Sequence, residues 1–246
     1  MHTAPRRVAH RGSGYRPCVP SSPVPPAHRR RITSTAVGIG IATGAYALSF
    51  GAISVASGLS PVQTQAVSLL MFTGASQFAL VGVLGVGGGA AAAILTAWLL
   101  GTRNGLYALS LAPILNVRGV RRLAAAQLTI DESTAVGVAQ PEAPAGRIGF
   151  WATGIGVFVL WNLATLVGAL AGDAMGDPRR YGLDAAAAAA FCALLWPRLV
   201  GRTMWAVATA GAVVALALTP ILRPGMPVLA AGLVALAASW LIGRRS

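Results

Sequence analysis

The sequence contains no lysine, and this absence excludes several kinds of chemistry. Without lysine there is no Walker A motif that would couple the chain to ATP hydrolysis. Nor is there an amine for a Schiff base with a retinal or pyridoxal-type cofactor. The three histidines, His2, His10 and His28, all lie near the N-terminus. The rest of the chain therefore offers no imidazole for metal binding or general-base catalysis.

Acidic residues are scarce as well, with six in the whole chain. Four aspartates, at 131, 173, 177 and 184, lie near the ends of apolar segments and do not suggest an intramembrane dyad. The H-E-x-x-H motif of metalloproteases is absent. One of the two cysteines lies in a basic tail and the other in an apolar segment, so no structural disulfide is expected. We therefore predict no enzymatic activity, no cofactor and no metal site.

Charge of either sign is rare, whereas apolar residues are abundant. The chain is 55% hydrophobic and 10% charged, against about 25% charged residues in soluble domains. Residues 33–102 contain no Arg, Asp or Glu. A soluble fold of that size needs charged outer faces, and a lipid environment removes the need. We therefore predict a multi-pass protein of the cytoplasmic membrane.

The formal net charge of +13 comes largely from arginines outside the apolar segments. Seven of the 19 basic residues lie within the first 31 positions, in a stretch rich in proline and free of acids. Such a stretch cannot bury enough apolar area to fold, and clustered arginine is typical of cytoplasmic loops. We predict a disordered, basic cytoplasmic tail at residues 1–33, a single transmembrane domain at 34–246, and no nucleic-acid binding.

The apolar segments predict an all-α, polytopic transmembrane helix bundle of seven to eight membrane elements. The segments lie at about 35–57, 62–86, 88–115, 123–140, 148–171, 182–200, 203–222 and 226–243. Two G-x-x-x-G motifs, at Gly40/Gly44 and Gly168/Gly172, suit close helix packing in lipid. Such motifs also occur by chance in chains rich in glycine and alanine.

Charge counting predicts at least one broken or re-entrant helix. If segment 88–115 crosses the membrane once, Arg118, Arg121 and Arg122 fall on the side opposite the basic tail, against the positive-inside tendency. If the chain turns back near residues 101–105, these arginines fall on the tail's side. We therefore predict the interruption at residues 101–105.

A polar cluster interrupts the second apolar segment at Phe72-Thr73-Gly74-Ala75-Ser76-Gln77-Phe78. Polar groups at this depth are costly when they face lipid. A local unwinding there would free backbone groups that bind a zwitterion, as discontinuous helices do in transporters. The alternative is hydrogen bonding between helices through Thr73, Ser76 and Gln77. We predict substrate contacts from Thr73, Gly74, Ser76 and Gln77, with an apolar wall from Phe72, Phe78 and Leu80.

Two further polar groups complete the candidate site. Arg103, with Asn104 and Tyr107, lies between leucine-rich stretches. It would hold a substrate carboxylate or pair with Asp131 or Glu132; alternatively, it reaches the headgroups from a helix end. Asp131 and Glu132 would form a polar lock or a proton relay, or else begin a capped surface turn.

With these motifs the sequence resembles the AzlC family of branched-chain amino acid permeases. The resemblance covers residues 33–243. It rests on the run from Phe72 to Phe78, on Thr102-Arg103-Asn104 with Tyr107, on Leu111-Ala112-Pro113, on Asp131-Glu132, and on Gly182-Leu183-Asp184 before an alanine-rich segment with Phe191. The chain departs from the family at Asn104, where members often have histidine.

The resemblance implies a permease domain that exports branched-chain amino acids, and methionine as a further substrate, driven by an ion gradient. It also implies a small, separately encoded AzlD-type membrane subunit as partner. Two other functions fit the residues: transport of a different small solute, and a scaffold that stabilises a partner without transporting anything.

Overall fold

A computed structural model describes residues 23–175, 192, 195, 196, 199–223 and 225–243. Within these residues all regular structure is helical, which confirms the all-α prediction. Most of segment 182–200, and with it the motif at residues 182–184, lies outside the described residues. The helices are α1 Pro26–Ala56, α2 Pro61–Leu70, α3 Gly74–Gly85, α4 Ala90–Leu115, α5 Val120–Gln127, α6 Asp131–Val138, α7 Ala143–Met175, α8 Gly201–Leu218 and α9 Met226–Gly243.

Three of the described helices, α1, α7 and α8, are long and apolar enough to cross a membrane. The predicted count of seven to eight membrane elements stays a prediction. The prediction that the disordered tail extends to residue 33 is wrong, because α1 already begins at Pro26. Proline is favoured in the first turn of a helix, where its missing N–H costs nothing. Residues 26–33 are therefore helical, and residues 1–22 lie outside the described part.

Helices α1 and α7 form the centre of the bundle, and both G-x-x-x-G motifs lie in their contact. An ideal Cβ placed on Gly40 would lie 3.0 Å from a Leu160 side-chain carbon, and one on Gly44 would lie 3.3 Å from Leu160 Cβ. The motif on α1 thus faces α7 directly. Small residues allow this close approach in lipid.

The second motif, on α7, faces α1 in turn. A Cβ on Gly168 would overlap the backbone oxygen of Leu48, and one on Gly172 would lie 2.9 Å from the Cα of Ala52. The role predicted for both motifs in close helix packing is confirmed. Because the paired residue numbers rise together along both helices, α1 and α7 run parallel.

Helices α2 and α3 form a re-entrant hairpin. A Cβ on Gly85, the last residue of α3, would lie 2.7 Å from the Ser57 hydroxyl at the end of α1. The ten residues of α2 span only about 15 Å, half of a hydrocarbon core of about 30 Å. The prediction of one span over residues 62–86 is therefore wrong: the chain enters, breaks at residues 71–73, and returns to the same end of the bundle.

Helices α5 and α6 form a second hairpin from the opposite end. The Arg147 Nε donates a hydrogen bond to the backbone oxygen of Ile114 (2.8 Å), so the end of α4 lies beside the start of α7. Between them, Leu128 in the α5–α6 connection packs against Gly154, where a Cβ would lie 3.0 Å from Leu128 Cβ. Gly154 lies about 16 Å along α7 from its first residue. The chain therefore runs into the bundle along α5, away from the start of α7, and returns toward that start along α6.

The two halves of this arrangement form an inverted repeat. A long helix followed by two short ones occurs as α1–α2–α3 and again, in the opposite direction, as α4–α5–α6. The two hairpins also contact each other at an exposed point, where the Gln127 side-chain amide donates a hydrogen bond to the Leu69 backbone oxygen (2.8 Å). Inverted repeats with discontinuous helices that meet near the midplane are typical of secondary transporters.

The predicted interruption at residues 101–105 is wrong, because α4 is continuous from Ala90 to Leu115. Two polar side chains there find partners without unwinding of the helix. The Thr102 hydroxyl donates to the Leu99 backbone oxygen (2.6 Å), and Arg103 forms an ion pair. A re-entrant element is nevertheless present, at α2–α3.

Because α2–α3 turns back, Arg118, Arg121 and Arg122 fall at the end of the bundle where α1 begins, as charge counting predicted. His28 Nε2, at the start of α1, lies 3.1 Å from Gln140 Oε1, at the end of the second hairpin. The start of α1 therefore lies beside the connection to α7. The arginines near this end are Arg29, Arg30, Arg31, Arg118, Arg121, Arg122 and Arg147.

The hairpin topology predicts which single cysteines share a side of the membrane. In a background with both native cysteines replaced by serine, Ala56→Cys and Val86→Cys are expected to react with an impermeant maleimide from one side, and Glu142→Cys from the other. All three positions are exposed. If Val86→Cys instead labels from the side of Glu142→Cys, then α2–α3 crosses the membrane and the hairpin is refuted.

Candidate functional site

The tips of the two hairpins enclose a small cavity of about 30 Å³ in the middle of the bundle. The first turns of α3 and α6 line it from two sides, and the wall is completed by α1, α7 and the α2–α3 break. Its lining residues are Tyr46, Phe72, Thr73, Gly74, Ala75, Ile130, Asp131, Glu132, Val157 and Trp161.

The break before α3 leaves the positive end of a helix at this cavity. Thr73 is extended, with φ −157° and ψ 104°, and its side chain makes no cap hydrogen bond. The first N–H groups of a helix have no partner within the helix, and its N-terminus carries about half a positive charge. Gly74 and Ala75 therefore present backbone donors that favour an anionic group.

The break before α6 is held open by one side chain. The Ser133 hydroxyl donates to the Leu128 backbone oxygen (2.5 Å) and accepts a hydrogen bond from the Ile130 N–H (3.1 Å). Asp131 and Glu132 occupy the first turn of α6, where the positive end of the helix stabilises acidic side chains. The cavity thus contains two carboxyl groups opposite the α3 terminus.

Arg103 and Tyr107 connect α4 to the second hairpin through Asp131. The guanidinium of Arg103 lies 2.6 Å from Asp131 Oδ2, and the Tyr107 hydroxyl donates to Asp131 Oδ1 (2.6 Å). The Arg103 and Asp131 side chains are 23% and 20% exposed. Burial to this degree strengthens the attraction and makes loss of either partner costly.

Gln77 connects the first hairpin to α7. Its amide nitrogen donates to the Met71 backbone oxygen (3.1 Å) and lies 3.4 Å from that of Ser68. Its amide oxygen accepts a hydrogen bond from Trp161 Nε1 (2.9 Å). The Gln77 side chain is fully buried, so in this conformation its hydrogen bonds position the tip of the hairpin and the indole that lines the cavity.

Aromatic rings form the apolar wall behind the cavity. Tyr46 stacks on Phe78, with ring centroids 4.8 Å apart, and meets Trp161 edge to face at 5.6 Å. A Cβ on Gly74 would lie 2.9 Å from the tip of the Trp161 ring. The indole therefore packs directly on the first turn of α3, and only glycine allows this contact without a shift.

The predicted site residues separate into three groups. Thr73, Gly74, Asp131 and Glu132 line the cavity, and Arg103 and Tyr107 contact Asp131. The other three lie outside the lining. Gln77 forms hydrogen bonds with the hairpin and with Trp161, and Ser76 faces Gly101 on α4, where an added Cβ would lie 3.4 Å from the Ser76 hydroxyl. The Asn104 side-chain oxygen is buried without a partner among the described residues. Their roles in substrate binding stay predictions.

Of the predicted apolar wall, only Phe72 lines the cavity. Phe78 packs within the aromatic core, and Leu80 lies at its edge. Sequence reasoning did not identify Tyr46, Val157 or Trp161 as lining residues. The pair Trp161-Asn162, polar in the middle of an apolar segment, was the available signal for α7. Within the described part of the chain, no group of His, Cys, Asp and Glu could hold a metal ion.

Comparison with known proteins identifies the family of the chain. A family model described as AzlC protein matches residues 38–175, which extend from within α1 to the end of α7. An uncharacterized membrane protein of Archaeoglobus fulgidus is 33% identical over 169 residues, covering 68% of this chain and 74% of that protein. No solved structure matches the chain. The chain therefore belongs to the AzlC family of permease-like membrane proteins.

Proposed function

We propose that the protein is the large subunit of a secondary transporter that exports branched-chain amino acids, with methionine as a further substrate. The observation that carries the proposal is the cavity at the hairpin tips. A helix terminus with free backbone donors, two carboxyl groups and an aromatic wall meet there. These are the three kinds of group that an apolar zwitterion requires.

Each part of the substrate has a partner of suitable chemistry. The substrate carboxylate would accept hydrogen bonds from the N–H groups at the start of α3, near Gly74, as anions do at helix N-termini. Its ammonium group would lie toward Glu132. The aliphatic side chain would pack against Phe72, Val157 and Trp161. Apolar lining with a few oriented polar groups is the usual composition of small-molecule sites.

The cavity is closed in this conformation. A volume of about 30 Å³ accommodates water, whereas ligand sites usually measure about 300–1,000 Å³. Substrate entry therefore requires the hairpin tips to separate. The contacts of Arg103 and Tyr107 with Asp131 hold the tip of the second hairpin against α4, so they would act as the lock that breaks or re-forms during transport.

Energy for export would come from an ion gradient, since the sequence has no Walker A lysine. Asp131 and Glu132 are the acids at the cavity, and either would exchange a proton as the lock opens. We place the arginine-rich end of the bundle, and with it the N-terminus, in the cytoplasm. A small AzlD-type membrane subunit would be the partner.

Export is tested in a strain that lacks the gene. Fed with dipeptides containing valine, leucine or isoleucine, this strain is expected to accumulate the free amino acid to several times the wild-type level. Dipeptides of alanine serve as the matched control. An unchanged internal pool of all three branched-chain amino acids would contradict the proposal. Vesicles with and without the small subunit, assayed against an amino-acid panel, would identify a different substrate.

A further inference from the structure

Three arginines share a second cavity, at the arginine-rich end of the bundle. This cavity of about 780 Å³ lies between the end of α4, the α4–α5 connection, α5 and the first turns of α7. Arg118, Arg121 and Arg147 line it, together with Asn116 and Trp151. It is distinct from the cavity at the hairpin tips, and the proposed transport function does not use it.

The charge of this cavity is uncompensated by the described part of the chain. No acidic residue lies among its lining residues, and the one ion pair found in the described residues joins Arg103 to Asp131. The three arginine side chains are exposed, so water and salt screen their mutual repulsion, and an anion between them would replace what remains of it by attraction. Arginine also matches the geometry of phosphate oxygens, to which it donates paired hydrogen bonds.

Local structure fixes the position of some of the residues that line this second cavity. Arg147 Nε is bonded to the Ile114 backbone oxygen (2.8 Å), which fixes the side chain and leaves its terminal nitrogens available. Asn116 ends α4 in the left-handed conformation, with φ 46°, and turns the following residues toward α5. The adjacent Arg122 does not line the cavity, so the grouping is more specific than a general excess of basic residues.

Apolar groups complete the cavity in a way that suits a lipid. Leu115, Val117 and Ala124 line it beside the arginines. Trp151 is half-buried, and tryptophan is enriched at the level of the headgroups. Val120 and Leu123 on the same short helix are 82% and 72% exposed, as expected for a helix that contacts acyl chains. A soluble phosphate would gain nothing from these apolar surfaces.

We propose that this cavity binds the phosphate headgroup of an anionic phospholipid, with a lipid carrying two phosphates as its best ligand. Basic pockets between membrane helices on the cytoplasmic side bind such headgroups. The lipid would bridge α4, α5 and α7 at the base of the second hairpin, which carries Asp131 at its tip.

The test uses the purified full-length protein in detergent and a matched pair of variants. Arg121→Gln removes a lining charge, and Arg122→Gln removes an equal charge from the next residue. Cardiolipin and phosphatidylglycerol are expected to raise the thermal midpoint of the wild type, because a ligand of the native state stabilises it. Phosphatidylcholine is expected to leave the midpoint unchanged. Arg121→Gln should raise the half-maximal cardiolipin concentration about tenfold, and Arg122→Gln should not change it.

Three outcomes would overturn the assignment. Equal loss in both variants would mean that overall charge alone attracts the lipid. A shift reproduced by millimolar inorganic phosphate would assign the cavity to a soluble anion. If gel filtration shows Arg121→Gln to be misfolded, native mass spectrometry of the wild type decides: retained cardiolipin or phosphatidylglycerol supports the site, and retention of phosphatidylcholine in equal amount overturns it.

Discussion

Gly51→Ala is expected to force α1 and α7 apart and so to destabilise the folded protein strongly. A Cβ on Gly51 would overlap the backbone oxygen of Thr165 and lie 2.6 Å from the backbone nitrogen of Ala169. Backbone atoms cannot rotate away, so the two helices would have to separate along their length. Overpacking of a core costs about 1–3 kcal/mol, and we expect about 3 kcal/mol here because backbone meets backbone. Thermal unfolding and gel filtration in detergent measure the effect.

The matched control for this substitution is Gly38→Ala on the same helix. A Cβ at Gly38 would meet nothing within 4 Å, and alanine is preferred over glycine in a helix by about 1 kcal/mol. The control is therefore expected to keep or slightly raise the thermal midpoint. Equal behaviour of the two variants would mean that α1 and α7 do not pack as described.

Asp131→Asn is expected to abolish transport and to destabilise the protein by about 3 kcal/mol. The substitution leaves the Arg103 guanidinium without its ionic partner, and an uncompensated buried charge costs about 3–5 kcal/mol. We take the lower end because both side chains are about one-fifth exposed. The asparagine oxygen can still accept the hydrogen bond from the Tyr107 hydroxyl, so the loss of stability measures the removal of the negative charge at residue 131. Efflux from vesicles and thermal unfolding measure the two effects separately.

Two further variants serve as controls for Asp131→Asn. Glu142→Gln removes an exposed carboxylate at the connection before α7 and should affect neither measurement. Arg103→Gln combined with Asp131→Asn removes both charges and should recover part of the stability without recovering efflux. If Asp131→Asn folds and leaves export by the complete transporter unchanged, the chain is a scaffold and the proposed site is wrong.

Composition alone determined that this chain resides in a membrane. Lipid removes the need for charged outer faces, and residues 33–102 have no charged side chain. The polar cluster at residues 73–77 also indicated a helix break, because polar groups at that depth are costly unless they have hydrogen-bond partners or bind a ligand. Both conclusions depend only on which residue types occur in a stretch of the chain. Neither requires knowledge of which residues are neighbours in space.

The direction of the chain was decided only by the tertiary structure. An apolar segment of 25 residues, such as 62–86, has the same composition whether it crosses once or folds back as two half-length helices. Charge counting correctly required one reversal before Arg118, but it placed the reversal at residues 101–105. The proximity of Gly85 to Ser57 places it at residues 71–73 instead.

The composition of the site was decided in the same way. Asp131 and Thr73 are 58 positions apart, and nothing in their spacing indicates that they line one cavity. They do so because two hairpins enter from opposite ends and stop halfway, where one aromatic wall separates them from the rest of the core. The sequence by itself determined which residues are costly to place in lipid; the tertiary structure determined which of them meet, because that depends on where each helix ends and turns back.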